Sequence, residues 1–155
     1  ASVVDQFFEN GKDQLSFLFS ANKGGQFNEL KKAASGGELS RIMLAIKSIL
    51  ANYKQLPTMM FDEIDSGVSG EISNKMAQIM QQMSANMQVF AITHIPQIAA
   101  KGSTHFKVYK EDVDNVTQTN LKQLNADQRL IEIAQMLGGI EISTSAMAHA
   151  KQLLN

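Results

Sequence analysis

The sequence predicts an α/β fold: a mainly parallel sheet flanked by helices, followed by a β-hairpin and two terminal helices. Three observations predict it. The short apolar runs Thr58–Phe61 and Val89–Ile92 read as strands buried on both faces, as in parallel sheets. Between them, Ile72, Met76, Ile79, Met80 and Met83 recur on one helical face. Strand, helix and strand in that order favour a βαβ unit with a right-handed crossover.

The chain divides as follows. Residues 1–10 are expected to be the tail of a helix, with Val3, Val4, Phe7 and Phe8 on one side and Gly11 as its stop. Gln14–Ser20 alternates in part through Leu15, Phe17 and Phe19 and reads as a strand. Asn22–Gln26, with its glycine pair, is a loop, and Lys31 and Lys32 read as a solvated face. Ser35 is a good N-cap, and Glu38 three residues on completes a capping box. Leu39, Ile42, Met43, Ile46, Ile49 and Leu50 then carry a helix to about Asn52.

Gly36 and Gly37 are poor helix formers in that first turn, so they need another reason. The reason would be access. Without side chains, the backbone N–H groups at the positive end of the helix lie open to an anion, and Ser35 adds a hydroxyl. Further on, Pro96 suits the first turn of a short helix through Ala100. Thr104–Lys110 and Val116–Leu124 form a hairpin with Asp112–Asn115 as its turn. Gln128–Leu137 is helical and stops at Gly138–Gly139, and Ser143 or Ser145 caps a last helix through Leu154.

A chain of 155 residues suits one domain or one lobe of a larger one, and the 44% hydrophobic content suits a sizeable core. Fourteen basic against fifteen acidic residues leave a net charge of −1, which gives no global drive toward nucleic acid or membrane. There is no cysteine, hence neither a disulfide frame nor a thiolate metal site. No apolar run approaches the roughly 20 residues of a membrane span, and no basic-then-apolar leader opens the chain. A cytoplasmic protein is the expectation. The nine methionines fall mostly on helical stripes and read as core, while His105 and His149 read as packing or surface residues.

In an open parallel sheet, ligands bind beyond the carboxyl ends of the strands. Asp62-Glu63 and Thr93-His94 both fall at such ends, and adjacent parallel strands would bring them side by side. Asp62 suits Mg²⁺, a hard cation that takes carboxylate, often through water, together with phosphate oxygens. Glu63 would polarise an attacking water and His94 would hold a terminal phosphate. Each residue alone is an ordinary turn, cap or structural residue; the constellation carries the signal.

These motifs resemble those of the ABC-type ATPases. Ala34–Arg41 is similar to their signature in the Ser-Gly-Gly-Glu form, and Thr58–Glu63 to Walker B with its catalytic glutamate. Asp65-Ser66-Gly67 sits where those proteins carry the D-loop, and His94 where they carry the switch histidine. Phe17–Asn22, Ala34–Leu44, Phe61–Gly70 and Thr93–Ala99 resemble the bacterial, SMC-like DNA repair branch. The resemblance implies an ATPase head built from N- and C-terminal lobes joined through a coiled coil. Two such heads form a homodimer around two ATP molecules and act in recombinational repair of DNA double-strand breaks.

In that frame Ser35, Gly36, Gly37 and Glu38 would meet ATP held by the partner head. Asp62 would hold Mg²⁺ through water, Glu63 would be the general base and His94 would bind the γ-phosphate. Asp65, Ser66 and Gly67 would communicate across the dimer. No G-x-x-x-x-G-K-[ST] loop occurs in the chain, so the phosphate cradle is missing. The expectation is therefore a C-terminal lobe spanning 1–155, inactive alone, with residues 1–10 where the coiled coil enters and the Walker A lobe as its partner. Two alternatives stay open: the head of another SMC-like, chromosome-organising protein, and a non-catalytic dimerisation module. Lys101, Lys107 and Lys110 read as solvated, which leaves DNA contacts unassigned.

Overall fold

The centre of the molecule is a parallel pair of strands, β5 (Thr58–Asp62) and β6 (Gln88–Ile92), in register from Thr58 opposite Gln88 to Asp62 opposite Ile92. The computed structural model describes residues 2–9, 11–20, 23–30, 35–68, 70–114 and 116–155. The predictions for Asn22, Lys31, Lys32 and Ala34 fall outside the described residues. Before the central pair come β1 (Ser2–Phe8), β2 (Gly11–Gln14), β3 (Leu18–Phe19), β4 (Asn28–Glu29) and helix α1 (Gly36–Lys54). Helix α2 (Glu71–Met83) joins β5 to β6, and a short α3 (Pro96–Lys101) follows. Strands β7 (Phe106–Val113) and β8 (Val116–Gln123) precede the helices α4 (Ala126–Gly138) and α5 (Thr144–Leu154).

The βαβ unit forms as predicted, but its sheet is not covered on both faces. Alternation along a strand sends successive side chains to opposite faces. Phe61 points to the helices and is 1% exposed, packed with Leu44 and Ala51 of α1 and with Met76, Met80 and Met83 of α2. Burying a side chain of that size contributes about 1.5–3 kcal/mol. On the other face Met60 is 60% exposed, and Phe90 and Ile92 are also exposed. The continuous apolar run thus has the composition of a two-faced strand while only one face is filled by the described residues. Among them the parallel part of the sheet is this one pair; the remaining strands pair antiparallel.

The expected helix over residues 1–10 is corrected. Ser2–Phe8 is a strand, antiparallel to β2, with Ser2 opposite Gln14 and Phe8 opposite Gly11. Valine and phenylalanine doublets favour extended backbone through their branched and aromatic side chains. Gly11, at φ +109°, turns the chain back rather than ending a helix. The ammonium of Lys12 then lies 4.6 Å from the Phe7 ring centroid. The strand predicted over Gln14–Ser20 is divided: Gln14 ends β2, and only Leu18–Phe19 pairs onward, with Asn28–Glu29.

The C-terminal part follows the predicted order with shifted ends. The hairpin runs from Phe106 opposite Gln123 to Val113 opposite Val116, so its turn is shorter than Asp112–Asn115, and Asp114 takes φ +53°. Helix α4 starts two residues earlier than predicted because Asn125 caps it, in a capping box with Gln128. Ser143, not Ser145, caps α5, its hydroxyl accepting the Ala146 N–H at 3.1 Å. Ala100, Ile133, Ala134 and Ala150 form a second small core. Arg129 of α4 donates to the carbonyls of Ala100, at 2.7 Å, and of Gly102, and so caps the end of α3. No described helix is long and apolar enough to cross a membrane.

Candidate functional site

Helix α1 begins as the sequence predicts. Ser35 is extended (φ −68°, ψ 163°), and its Oγ accepts the Glu38 N–H at 3.4 Å. In return a Glu38 carboxylate oxygen accepts both the Ser35 N–H and the Ser35 hydroxyl, each at 2.8 Å. The Ser35 N–H above all, then the hydroxyl and the charge of Arg41, hold the Glu38 carboxyl below its ordinary value. Here the serine hydroxyl is engaged within the cap rather than offered outward.

The two glycines that follow answer different needs. A Cβ on Gly36 would meet nothing within 4 Å, so this position is bare and open. A Cβ on Gly37 would come within 3.1 Å of the Gly67 carbonyl oxygen. Gly37 is therefore a point of close approach between α1 and the loop after β5. The spacing of the signature does not reveal that contact. The amides of Glu38 and Leu39 are taken by the Ser35 hydroxyl and carbonyl. Those of Gly36 and Gly37 are left open among the described residues, at the positive end of a 19-residue helix.

At the far end of β5, Asp62 and Glu63 are both exposed, and so is His94 just beyond β6. The Glu63 N–H donates to the Ile92 carbonyl at 3.3 Å, which extends the ladder by one residue and sets Glu63 beside Thr93-His94. Glu63 takes φ +46°, a left-handed conformation uncommon for a residue other than glycine. Its carbonyl accepts the Ser66 N–H at 3.2 Å and the Ser66 hydroxyl at 3.0 Å, which folds the next residues into a tight turn.

Asp65 lies inside that turn and is 1% exposed. Its Oδ2 accepts the Thr93 hydroxyl, while its Oδ1 is buried without a partner among the described residues. The outward members of the turn are Ser66 and Gly67. An open hollow of about 250 Å³ separates α1 from the end of β5, with Ser40, Met43, Lys47, Asp62 and Glu63 in its wall. Lys47, whose ammonium stands 5.5 Å from the Phe61 ring centroid, brings a positive charge to this wall. Sequence reading missed it; the only signal is its position one turn beyond Met43 on the same helix face.

The start of α1, the strand-end acids and the strand-end histidine are thus linked through one loop. The helix start offers two amides without a partner among the described residues, and the strand ends offer two carboxylates and an imidazole. No group of three or more His, Cys, Asp or Glu is arranged to hold a metal ion among the described residues. Asp62 fits a cation that takes one protein carboxylate and fills its shell with water and phosphate oxygens.

No protein-family model matches the chain. The chain is similar to the DNA repair protein RecN of Bacillus subtilis, 43% identical over 149 residues, which is 96% of this chain and 26% of that protein. It is 40% identical over 152 residues to RecN of Haemophilus influenzae, covering 98% of this chain and 27% of that one. It spans about a quarter of the length of these relatives. Among solved structures, the Smc head domain with a coiled coil and joint from Pyrococcus yayanosii superposes with a TM-score of 0.58 at 20% identity, over 85% of this chain and 21% of that one. An SMC ATPase structure tied to ATP-driven dimerization and DNA-stimulated activation gives 0.55 at 19% identity, over 74% and 68%. The fold is that of an SMC ATPase head, in line with the motif resemblance.

Proposed function

Because this chain belongs with the RecN proteins, as a segment related to them over nearly all of its own length, we propose that it is the C-terminal lobe of an SMC-like ATPase head that acts in recombinational repair of DNA double-strand breaks. In this reading an N-terminal Walker A lobe of the same protein binds ATP. Two heads close on two nucleotides, and this lobe supplies the hydrolytic residues of its own site and the signature of its partner's. Higher identity to RecN proteins than to SMC heads supports the repair branch over a chromosome-organising one.

The observation that carries the proposal is the single loop that starts at Glu63, pinned to Ile92, and reaches Gly67 against Gly37. Glu63 accepts a proton from the attacking water, and His94 donates a hydrogen bond to the terminal phosphate. Such positioned base catalysis is worth roughly 10²–10⁴-fold in rate. Asp62 would hold Mg²⁺ when the ion is bound. Bound there, it would supply neutralisation of phosphate charge. The open amides of Gly36 and Gly37, with Ser35 and Glu38 behind them, receive the γ-phosphate of the nucleotide on the second head. Buried Asp65 holds the turn, so contact with the partner falls to the exposed Ser66 and Gly67.

The exposed sheet face of Met60, Phe90 and Ile92 suits coverage by the Walker A lobe. The 155-residue chain alone is expected to hydrolyse no ATP, since it carries no phosphate loop. The deciding experiment joins this lobe to its Walker A lobe and follows head dimerisation by light scattering with and without ATP. A head that neither dimerises nor hydrolyses would leave only the non-catalytic module.

A further inference from the structure

The strand-end histidine is exposed, yet the backbone on both sides of it is fixed. The Thr93 Oγ1 accepts the Ile95 N–H at 2.9 Å, closing a small ring whose middle residue is His94. The same hydroxyl donates its hydrogen to Oδ2 of Asp65. Asp65 is 1% exposed, and its backbone carbonyl accepts the Val68 N–H at 3.1 Å, in the loop that begins at Glu63 and touches Gly37 at Gly67. A hydroxyl has one proton to give. Here that proton goes to a carboxylate which has no other partner among the described residues.

From this geometry we infer that Thr93 is a positioning residue for hydrolysis, acting through His94 and Asp65 and not on the nucleotide. The inference rests on the site reading above. Thr93 is half-buried and its hydroxyl is used in both directions within the chain. It has one function to perform there: to set the imidazole of His94 and the loop carrying Glu63 at a fixed separation. The two groups come from strands whose pairing stops at Asp62 and Ile92. Beyond that point, among the described residues, the Glu63-to-Ile92 bond and the Thr93–Asp65 bond are the hydrogen bonds that cross between them. Losing the second frees the histidine to swing on its backbone. Displacement of a reacting group by about 1 Å costs up to roughly 100-fold in rate.

The test uses the full-length protein. Thr93→Val keeps the shape and removes the hydroxyl; Thr93→Ser keeps the hydroxyl. The valine variant is expected to lose about tenfold or more in kcat with KM for ATP and ATP-driven dimerisation unchanged, and the serine variant to recover most of it. Thr93→Val added to His94→Ala is expected to lose clearly less than the product of the two single losses, because part of the effect of Thr93 runs through His94. A purely structural threonine would instead give additive losses. Wild-type turnover in the valine variant, equal losses for valine and serine, or additivity with His94→Ala would each overturn the inference. Thr93→Ala, which removes the hydroxyl without adding bulk, carries the same comparison if the valine chain does not fold. A Glu63→Gln control separates the two levels: full turnover in that variant sinks the site reading and this inference with it, whereas loss there with an unaffected Thr93→Val sinks this inference alone.

Discussion

The backbone N–H of Glu63 donates to the carbonyl of Ile92 at 3.3 Å, one step past the last paired residues of the parallel strands. Glu63 is thereby carried by the sheet rather than by a free loop, although its side chain is exposed. It is also held at φ +46°, where the Cβ crowds the following carbonyl oxygen at a cost of about 1–2 kcal/mol. Strain kept at such a place is consistent with a group held for use.

Glu63 gives the sharpest prediction. Glu63→Gln in the full-length protein is expected to lower ATP turnover by about 10²–10⁴-fold while ATP binding and head dimerisation persist. Glu63→Asn is expected to be equally inactive, yet to stabilise the fold by up to about 1 kcal/mol, since asparagine tolerates left-handed backbone better. Turnover assays and thermal melting on the same samples check both parts. A less stable asparagine variant would show that the loop does not strain Glu63.

The two signature glycines should separate under mutation. Gly36→Ala meets nothing, and alanine favours a helix over glycine by about 1 kcal/mol, so the fold should hold or gain. Gly37→Ala pushes a methyl to within 3.1 Å of the Gly67 carbonyl, so the loop must shift and stability should fall. Ser35→Arg removes the cap, costing about 1 kcal/mol, and puts a bulky cation on the corner. It is expected to abolish ATP-driven dimerisation, and dimers formed at the wild-type ATP concentration would remove this corner from the interface.

The capping box has a pH signature. Folding lowers the Glu38 carboxyl below its ordinary 4.5, first through the Ser35 N–H and then through the Ser35 hydroxyl. A depressed carboxyl contributes fully above its unfolded value and loses that contribution as pH falls through the folded one. The helix start is thus expected to stay capped down through pH 4.5 and to open only in stronger acid. Following the Glu38 side-chain carbon by NMR against pH reads this directly, and a midpoint at or above the ordinary value would contradict it.

What could be read from the chain was local or periodic. Ser35 and Glu38 announce their box because both partners lie within one helical turn, and Met76, Met80 and Met83 announce a buried face through spacing alone. Val3-Val4 and Phe7-Phe8 repeat at a spacing of four, as one face of a helix would, yet pairing with Gly11–Gln14 makes this segment a strand. Gly37 against Gly67 and Thr93 against Asp65 join pieces 30 and 28 residues apart, with no trace in the spacing of either. The left-handed turn at Glu63 is equally hidden, because glutamate is not a residue that this backbone conformation prefers.

Away from this site, His105 should make the fold acid-sensitive. It is half-buried, its Nδ1 has no partner among the described residues, and Arg129 and Lys107 face it alongside Glu132. Burial first, then the charge of Arg129, lowers its pKa from 6.5, with Glu132 opposing. Below 6.5 the unfolded chain therefore binds a proton that the folded chain resists, so stability falls as pH drops through that value. Once the folded imidazole is itself protonated the dependence ends. His105→Leu is expected to remove this slope while leaving the His105 backbone carbonyl free to accept the Leu124 N–H, at 2.9 Å in the native chain. Urea midpoints of both chains on either side of pH 6.5 decide the matter: the native chain should lose stability in acid and the leucine variant should lose less, whereas parallel losses would assign the acid sensitivity to other groups.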